Sequence, residues 1–499
     1  MEFTPVNSPI QSVQSNRKYT FAAPKDQSQI LSQLQFISLI GWGLASCLGY
    51  LFLYSLGDLR QKVPEFLFCN LLLGIIYLVS LKIANVRGIG SKSPNLTHPS
   101  DSNPPPLGKT LSPVNLSEGA ITPPKKDPSR AAKIENAKTI KVIIFFAIVF
   151  RLIMFFSPPS LSDDVYRYAW EGSIQIEGFN PYQVAPQSEL LRNYRSATWE
   201  RVNNKDVPAI YPPFMQLFNA LTFFLFRSVW GFKLVFIALD LWVFRILFLL
   251  LRANQKDPLQ VIVYAWNPLV VVEIAGSGHH DVLVVALVLQ SLWFYQRSLT
   301  YRSLFSLGAS ILCKWYPLVT VPLFLRKIPL GRFWVLPLIL FTGSLPYALA
   351  GPHMFSALWH YRQKWRFNGF LYQGLSSQLH SEALAESILL ILVLSVLAFT
   401  LSRKTSLLEQ CYWMVGITLL CSPNLFPWYV VWIVPFLCFF PNPAWLLLST
   451  TIALSYYVLI DWWTLGVWHQ NQVLLALQFL PFYGVMMWGF AGKLHSRRV

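Results

Sequence analysis

Two adjacent carboxylates, Asp163 and Asp164, close a polar string that follows an apolar run: Ser157-Pro158-Pro159-Ser160-Leu161-Ser162-Asp163-Asp164. At a membrane surface such a pair can bind a divalent ion, Mg2+ or Mn2+, or one member can take a proton from an attacking hydroxyl. The plainer alternative is a solvated helix start, where the helix dipole favours ionised carboxylates. Downstream, Val165, Tyr168, Ala169, Gly172 and Ile176 share one face at helical spacing. The spacing predicts a helix lying at the membrane interface, with Ser162 as its N-cap. Gly178-Phe179-Asn180-Pro181-Tyr182 should end it. Neighbours on a helix point about 100° apart, so the two aspartates should have different jobs. Asp163, earlier in the turn, is the expected base, and Asp164 would orient the acceptor or an ion.

Other candidates are polar groups within apolar runs, each costing roughly 2.5–3.5 kcal/mol to insert. They are Arg151, Asp240, Arg245, Glu273, Lys314 and Asp461. Asp240, Arg245 and Asp461 read best as structural pairs between helices or as snorkelling groups. Two hairpin tips look different. One runs from Trp266-Asn267-Pro268 through Glu273 to Gly278-His279-His280-Asp281. Adjacent histidines cannot readily share a helical face, so hydrogen bonding to a phosphate or sugar is expected there rather than metal ligation. The other tip holds Lys314 beside Trp315-Tyr316-Pro317, a phosphate anchor if it does not simply snorkel. Arg362, Lys364 and Arg366 alternate with aromatics in a further loop, suiting an anionic phosphate and a stacked sugar.

The elements that must position these groups are membrane helices. The 499 residues are 54% hydrophobic and 13% charged, about half the charge of a soluble domain. Several apolar runs approach the ~20 residues that cross a bilayer. The net charge of +17 sits mostly in short connectors between those runs, as the positive-inside rule requires, so a nucleic-acid partner is rejected. The six cysteines include no CxxC spacing, and neither a disulfide frame nor a zinc site is signalled. The reading is an all-α, polytopic helical membrane protein with roughly 11–14 membrane segments. Residues 1–30 form a polar cytoplasmic tail, 31–86 a transmembrane hairpin without catalytic role, and 87–139 a disordered basic Pro/Ser-rich linker. The main module occupies 140–499, with a long first outward loop at 157–210. Segment 213–226 must re-enter or lie along the outer surface.

In order, the strings Ser162-Asp163-Asp164-Val165-Tyr166, Gly178 to Tyr182, Tyr211-Pro212-Pro213, Trp266-Asn267-Pro268, Gly278-His279-His280-Asp281, Lys314-Trp315-Tyr316-Pro317 and Pro427-Trp428-Tyr429 resemble the glycosyltransferase C superfamily. The nearest likeness is to bacterial family 87 and to the mannosyltransferase that starts glycosylphosphatidylinositol. It covers about residues 140–440. It implies a membrane mannosyltransferase that draws its sugar from a polyprenyl-phosphate carrier, passes it with inversion to a glycolipid or glycan acceptor, and works outside the cell membrane. It also implies that the first outward loop carries the catalytic carboxylate. The family often shows Asp-x-Asp, whereas here the pair is adjacent. The expected site is then Asp163 and Asp164 for catalysis, and Arg151, His279, His280, Asp281, Lys314, Arg362 and Arg366 for the donor phosphate. Tyr166, Asn180, Tyr182 and Trp428 are expected to contact the sugar or acceptor. A transporter or flippase is the second reading, because charged groups and broken helices within the bilayer suit it too.

The charge pattern predicts that a cysteine placed at Gln187 reacts with a membrane-impermeant reagent applied to intact cells, while one at Thr110 is protected. The reverse pattern would overturn this topology.

Overall fold

The computed structural model describes residues 25–86 and 128–495. Most of the expected polar tail and most of the linker fall outside the described residues. Chain order begins with α1 (Lys25–Ser55), α2 (Val63–Ile83) and α3 (Pro128–Phe155). The last of these begins twelve residues ahead of the span expected at 140. Then come α4 (Asp164–Ile176), α5 (Pro213–Phe226), α6 (Val229–Ala253) and α7 (Asp281–Gln296). Among the described residues no strand forms beyond isolated bridges joining Phe367 and Asn368 to Asn424.

Among the described residues seven helices are long and apolar enough to cross a membrane, or eight if the bent pair Pro258–Ala265 and Pro268–Gly276 is one span. Further apolar runs fold as shorter helices, including α5, α7, Leu407–Leu420 and Pro427–Leu437. The chain is therefore a multi-pass helical membrane protein. Large apolar side chains such as Leu48, Phe68 and Ile391 stay exposed on the spans, as lipid-facing positions must. At fourteen residues α5 is about 21 Å long, too short for a ~30 Å hydrocarbon core. It packs instead against α4, so closely that a Cβ at Gly172 would meet the Asn219 carbonyl oxygen at 2.5 Å.

The α4 helix departs from the interfacial expectation. Residues 165–172 and Ile174 are all buried, charged ones included. Arg167 explains this. Its Nε donates to Glu171 at 2.8 Å, and its Nη atoms reach the carbonyls of Asn203, Asn204, Val207 and Pro208 at 2.6–3.1 Å. The polar side of the helix is thus covered by the chain's own loop rather than by water. Gln216 of α5 donates to the other Glu171 oxygen at 2.7 Å. Asp163 occupies the N-cap position, one residue later than expected, but Ser162 just outside still supplies the capping acceptor, its hydroxyl taking the Asp164 N–H at 3.3 Å. Gly178 adopts φ +85° just past the end of the helix, the left-handed turn that glycine permits. Beyond it Asn180 accepts from the Tyr182 N–H at 3.1 Å, and the Tyr182 hydroxyl donates to the Tyr211 carbonyl at 2.6 Å. These two residues sew the loop's ends together.

Removing one partner of a buried ion pair costs about 3–5 kcal/mol. Arg167→Met should therefore sharply lower the melting temperature of detergent-purified protein, and the double variant with Glu171→Gln should recover part of the loss. An unchanged melting temperature for Arg167→Met would show that the loop folds without this pair.

Candidate active site

The helix start splits the two aspartates between two environments. Asp163 turns toward the connector of α1 and α2, where Arg60 donates to its Oδ1 at 3.1 Å. Arg201 shares this side. It donates to the Tyr166 hydroxyl, and its guanidinium lies 4.8 Å from the Tyr166 ring centre. Asp164 turns inward. Its Oδ1 accepts from the Asn203 amide at 2.9 Å, and its Oδ2 lies 3.4 and 3.5 Å from the Tyr168 and Tyr211 hydroxyls. Burial raises the Asp164 carboxyl above its ordinary range, against the lowering pull of the Asn203 amide and the Lys314 and Arg167 charges. Burial likewise raises Asp163, with Arg60 opposing and the neighbouring Asp164 charge adding to the rise.

The tip between the bent pair and α7 meets Asp164 from below. Residues Val271–Gly276 form a wide π-type turn that ends at Ser277 and delivers the two histidines to opposite sides. His280 stacks on Tyr168 with centroids 3.9 Å apart, and His279 stacks on Trp428 at 4.1 Å. His279 stands between two carboxylates, with Nδ1 3.9 Å from Asp164 and Nε2 3.4 Å from Glu273. The Tyr456 hydroxyl lies 2.9 Å from both Glu273 oxygens. Asp281 opens α7 and accepts from the Lys314 ammonium at 2.7 Å and from the Trp432 indole N–H. Lys314 sits among rings, with Nζ 4.7 Å from the centre of Tyr429, 5.2 Å from Trp432 and 5.7 Å from Tyr211. Aromatic faces hold a desolvated ammonium well.

An open cavity of about 780 Å3 borders this cluster. Trp315, Phe355, Trp359, Tyr361, Arg362 and Tyr429 are among its walls. Its connection to the cluster is aromatic: the hydroxyls of Tyr361 and Tyr429 are 3.3 Å apart, and Tyr429 stacks on Trp432 at 4.6 Å.

Of the expected site residues, Asp164, His279, His280, Asp281, Lys314 and Trp428 come together, and Arg362 joins at the cavity rim. Arg151 does not. It is buried in the helical core, paired with Asp240, and donates to the carbonyls of Ala147 and Ala265 at 3.0 and 2.8 Å. At 1% exposure the side chain faces neighbouring helices rather than the cavity. Arg366 is held by Glu382 and Glu386 at 3.2 and 3.1 Å and by the Tyr372 hydroxyl at 2.8 Å. Tyr166 belongs to the Asp163 side, and Asn180 and Tyr182 serve the loop. Sequence reasoning missed Asn203, Tyr168, Tyr211, Trp432 and Lys233. The last had a signal, a lysine inside an apolar run. It is fully buried and donates to the carbonyls of Met154, Phe155 and Ser157, capping the C-terminal end of α3 beside the site. Among the described residues no three His, Cys, Asp or Glu side chains gather to hold a metal. Since Arg60 also occupies Asp163, a divalent ion does not fit the aspartate pair as it stands.

Residues 129–327 match the MptA_B family, described as alpha-(1->6)-mannopyranosyltransferase, N-terminal domain. No curated protein and no solved structure matches the chain. The matched stretch is less than half of the chain, but it contains both aspartates, the His279–Asp281 tip and Lys314. Together with the membrane-spanning helices, this likeness supports a membrane glycosyltransferase, with mannose as its sugar at the level of the family.

Proposed function

We propose that the protein transfers mannose, with inversion, from a polyprenyl-phosphate carrier to a glycolipid or glycan acceptor at the outer face of the cell membrane. The observation that carries this reading is the position of Asp164, a partly buried carboxylate in one cluster with a lysine boxed in aromatic rings, of which Tyr429 lines an open cavity. The likeness of residues 129–327 to a mannopyranosyltransferase domain supports the sugar.

The chemistry follows from the groups present. A sugar on a lipid phosphate is already activated, so the protein must bind, orient and move one proton. Asp164, fixed by Asn203 and flanked by Tyr168 and Tyr211, takes the proton of the acceptor hydroxyl. That oxygen bonds to the anomeric carbon as the bond to phosphate breaks, and the electron pair leaves with the lipid phosphate. Lys314 spends one N–H on Asp281 and keeps two for the departing phosphate. Arg362 stands at the cavity rim, where it now pairs with Glu386 at 2.9 Å. The cavity's aromatic walls suit the sugar and the first isoprenes. Preference between the two aspartates thereby moves from Asp163 to Asp164, because Asp163 is tied to Arg60 and faces away from the cluster.

Loss of a general base costs typically 10²–10⁴-fold in rate. With radiolabelled polyprenyl-phosphate mannose and purified protein, Asp164→Asn should lose transfer on that scale, and Asp163→Asn should lose less. Because the Asp164 pKa is raised, wild-type kcat/KM should fall as pH drops through a value above the ordinary carboxylate range. Near-normal transfer by Asp164→Asn would sink the assignment, and loss confined to Asp163→Asn would return the role of base to Asp163.

Lys314→Ala should raise donor KM and lower kcat, because one cation serves both the bound and the leaving phosphate. Wild-type values of both constants would remove Lys314 from the phosphate site.

A further inference from the structure

The N-terminal hairpin lies outside the matched residues 129–327, and nothing in its sequence marks it for chemistry. In the fold it reaches the catalytic loop. Between α1 and α2, Asp58 caps the short turn Leu59–Gln61. Its carboxylate accepts from the Arg60 backbone N–H and Nε at 3.1 Å and from Nη2 at 2.9 Å. The guanidinium is therefore oriented by its own turn before it meets Asp163 at 3.1 Å through Nη1. One residue earlier, the Leu59 N–H donates to the Ser160 hydroxyl at 2.9 Å in a buried contact. Trp463, from the helix Val458–Leu465, supports the guanidinium, its ring centre 5.1 Å away.

The hairpin itself is anchored in the core. Tyr50 of α1 packs on Phe150 of α3, with centroids 4.9 Å apart. The Tyr77 hydroxyl of α2 donates to the Val263 carbonyl at 2.8 Å and accepts from the Asn267 amide at 3.2 Å. The turn carrying Arg60 thus rests on two helices tied into the body of the protein.

We infer that this hairpin is a working part of the active centre, with Arg60 as a positioning residue that acts through Asp163. Asp163 is the N-cap of α4, yet its side chain makes no cap bond to its own helix. It is spent on Arg60. Arg60 to Asp163 and Leu59 to Ser160 are two clamps on the string 157–164, and they fix the first turn of α4 and so the direction in which Asp164 points. A misplacement of about 1 Å at a catalytic group can cost on the order of 10²-fold. Donor binding rests on Lys314 and the aromatic cavity, which the clamp does not touch. Loss of Arg60 should therefore appear in kcat and not in donor KM.

The inference rests on the reading of Asp164 as base, and a double-mutant cycle separates the two. Arg60→Gln and Asp163→Asn should each lower kcat about tenfold, with donor KM within about twofold of wild type. Arg60→Lys should restore most of the rate. In the Asp163→Asn background, Arg60→Gln should add less than about a twofold loss, because residues acting through one contact are not additive. Should Arg60→Gln not accumulate in the membrane, Arg60→Lys enters the same cycle. Multiplicative losses, a change confined to KM, or an unaltered kcat would overturn the role of Arg60. An active Asp164→Asn variant would instead overturn the catalytic reading beneath it.

Discussion

The loop that holds Asp164 depends on one buried arginine. Arg167 binds Glu171 on its own helix and four carbonyls of the loop at 203–208. Charge out of water has to be matched, and one guanidinium offers five donors in a fixed plane. The loop closes because its carbonyls complete that match. Closure brings in Asn203, the residue whose amide holds Asp164. The geometry around Asp164 is thus a by-product of satisfying a charge that α4 could not otherwise bury.

The same accounting organises the surroundings. Arg151 meets Asp240 and Tyr264 meets the other Asp240 oxygen at 2.7 Å, so three helical segments share one neutralised pair. Lys233 spends its ammonium on the last carbonyls of α3. Asp281 and Lys314 neutralise each other inside the aromatic box. In lipid these charges have no water to fall back on, so each pair also fixes the register of the segments it joins.

What the sequence made legible was whatever shows locally. Polar residues next to proline or glycine breaks within apolar runs revealed the Gly278–Asp281 tip, Lys314 and the aspartate pair. Divergence of Asp163 and Asp164 followed from helical geometry alone. What stayed hidden was pairing at long range. Arg60 and Asp163 are 103 positions apart, and Arg60 alone reads as a connector charge. Arg167 and Glu171 look like a routine surface pair four residues apart, because only the loop makes them buried. Arg151 misled for the converse reason: its partner Asp240 lies 89 positions away, which left it looking free for a ligand.

The bend of 55° between Pro258–Ala265 and Pro268–Gly276 has a bearing on biogenesis. Each half is only about 12–14 Å long, so neither can enter the bilayer as an independent hydrophobic segment. The break also releases main-chain oxygens that hydrocarbon cannot solvate. Tyr77 satisfies the one on Val263, and Arg151 the one on Ala265. Both donors precede the break in the chain. When the broken segment leaves the ribosome, the side chains that allow it to reside in lipid have already been synthesised.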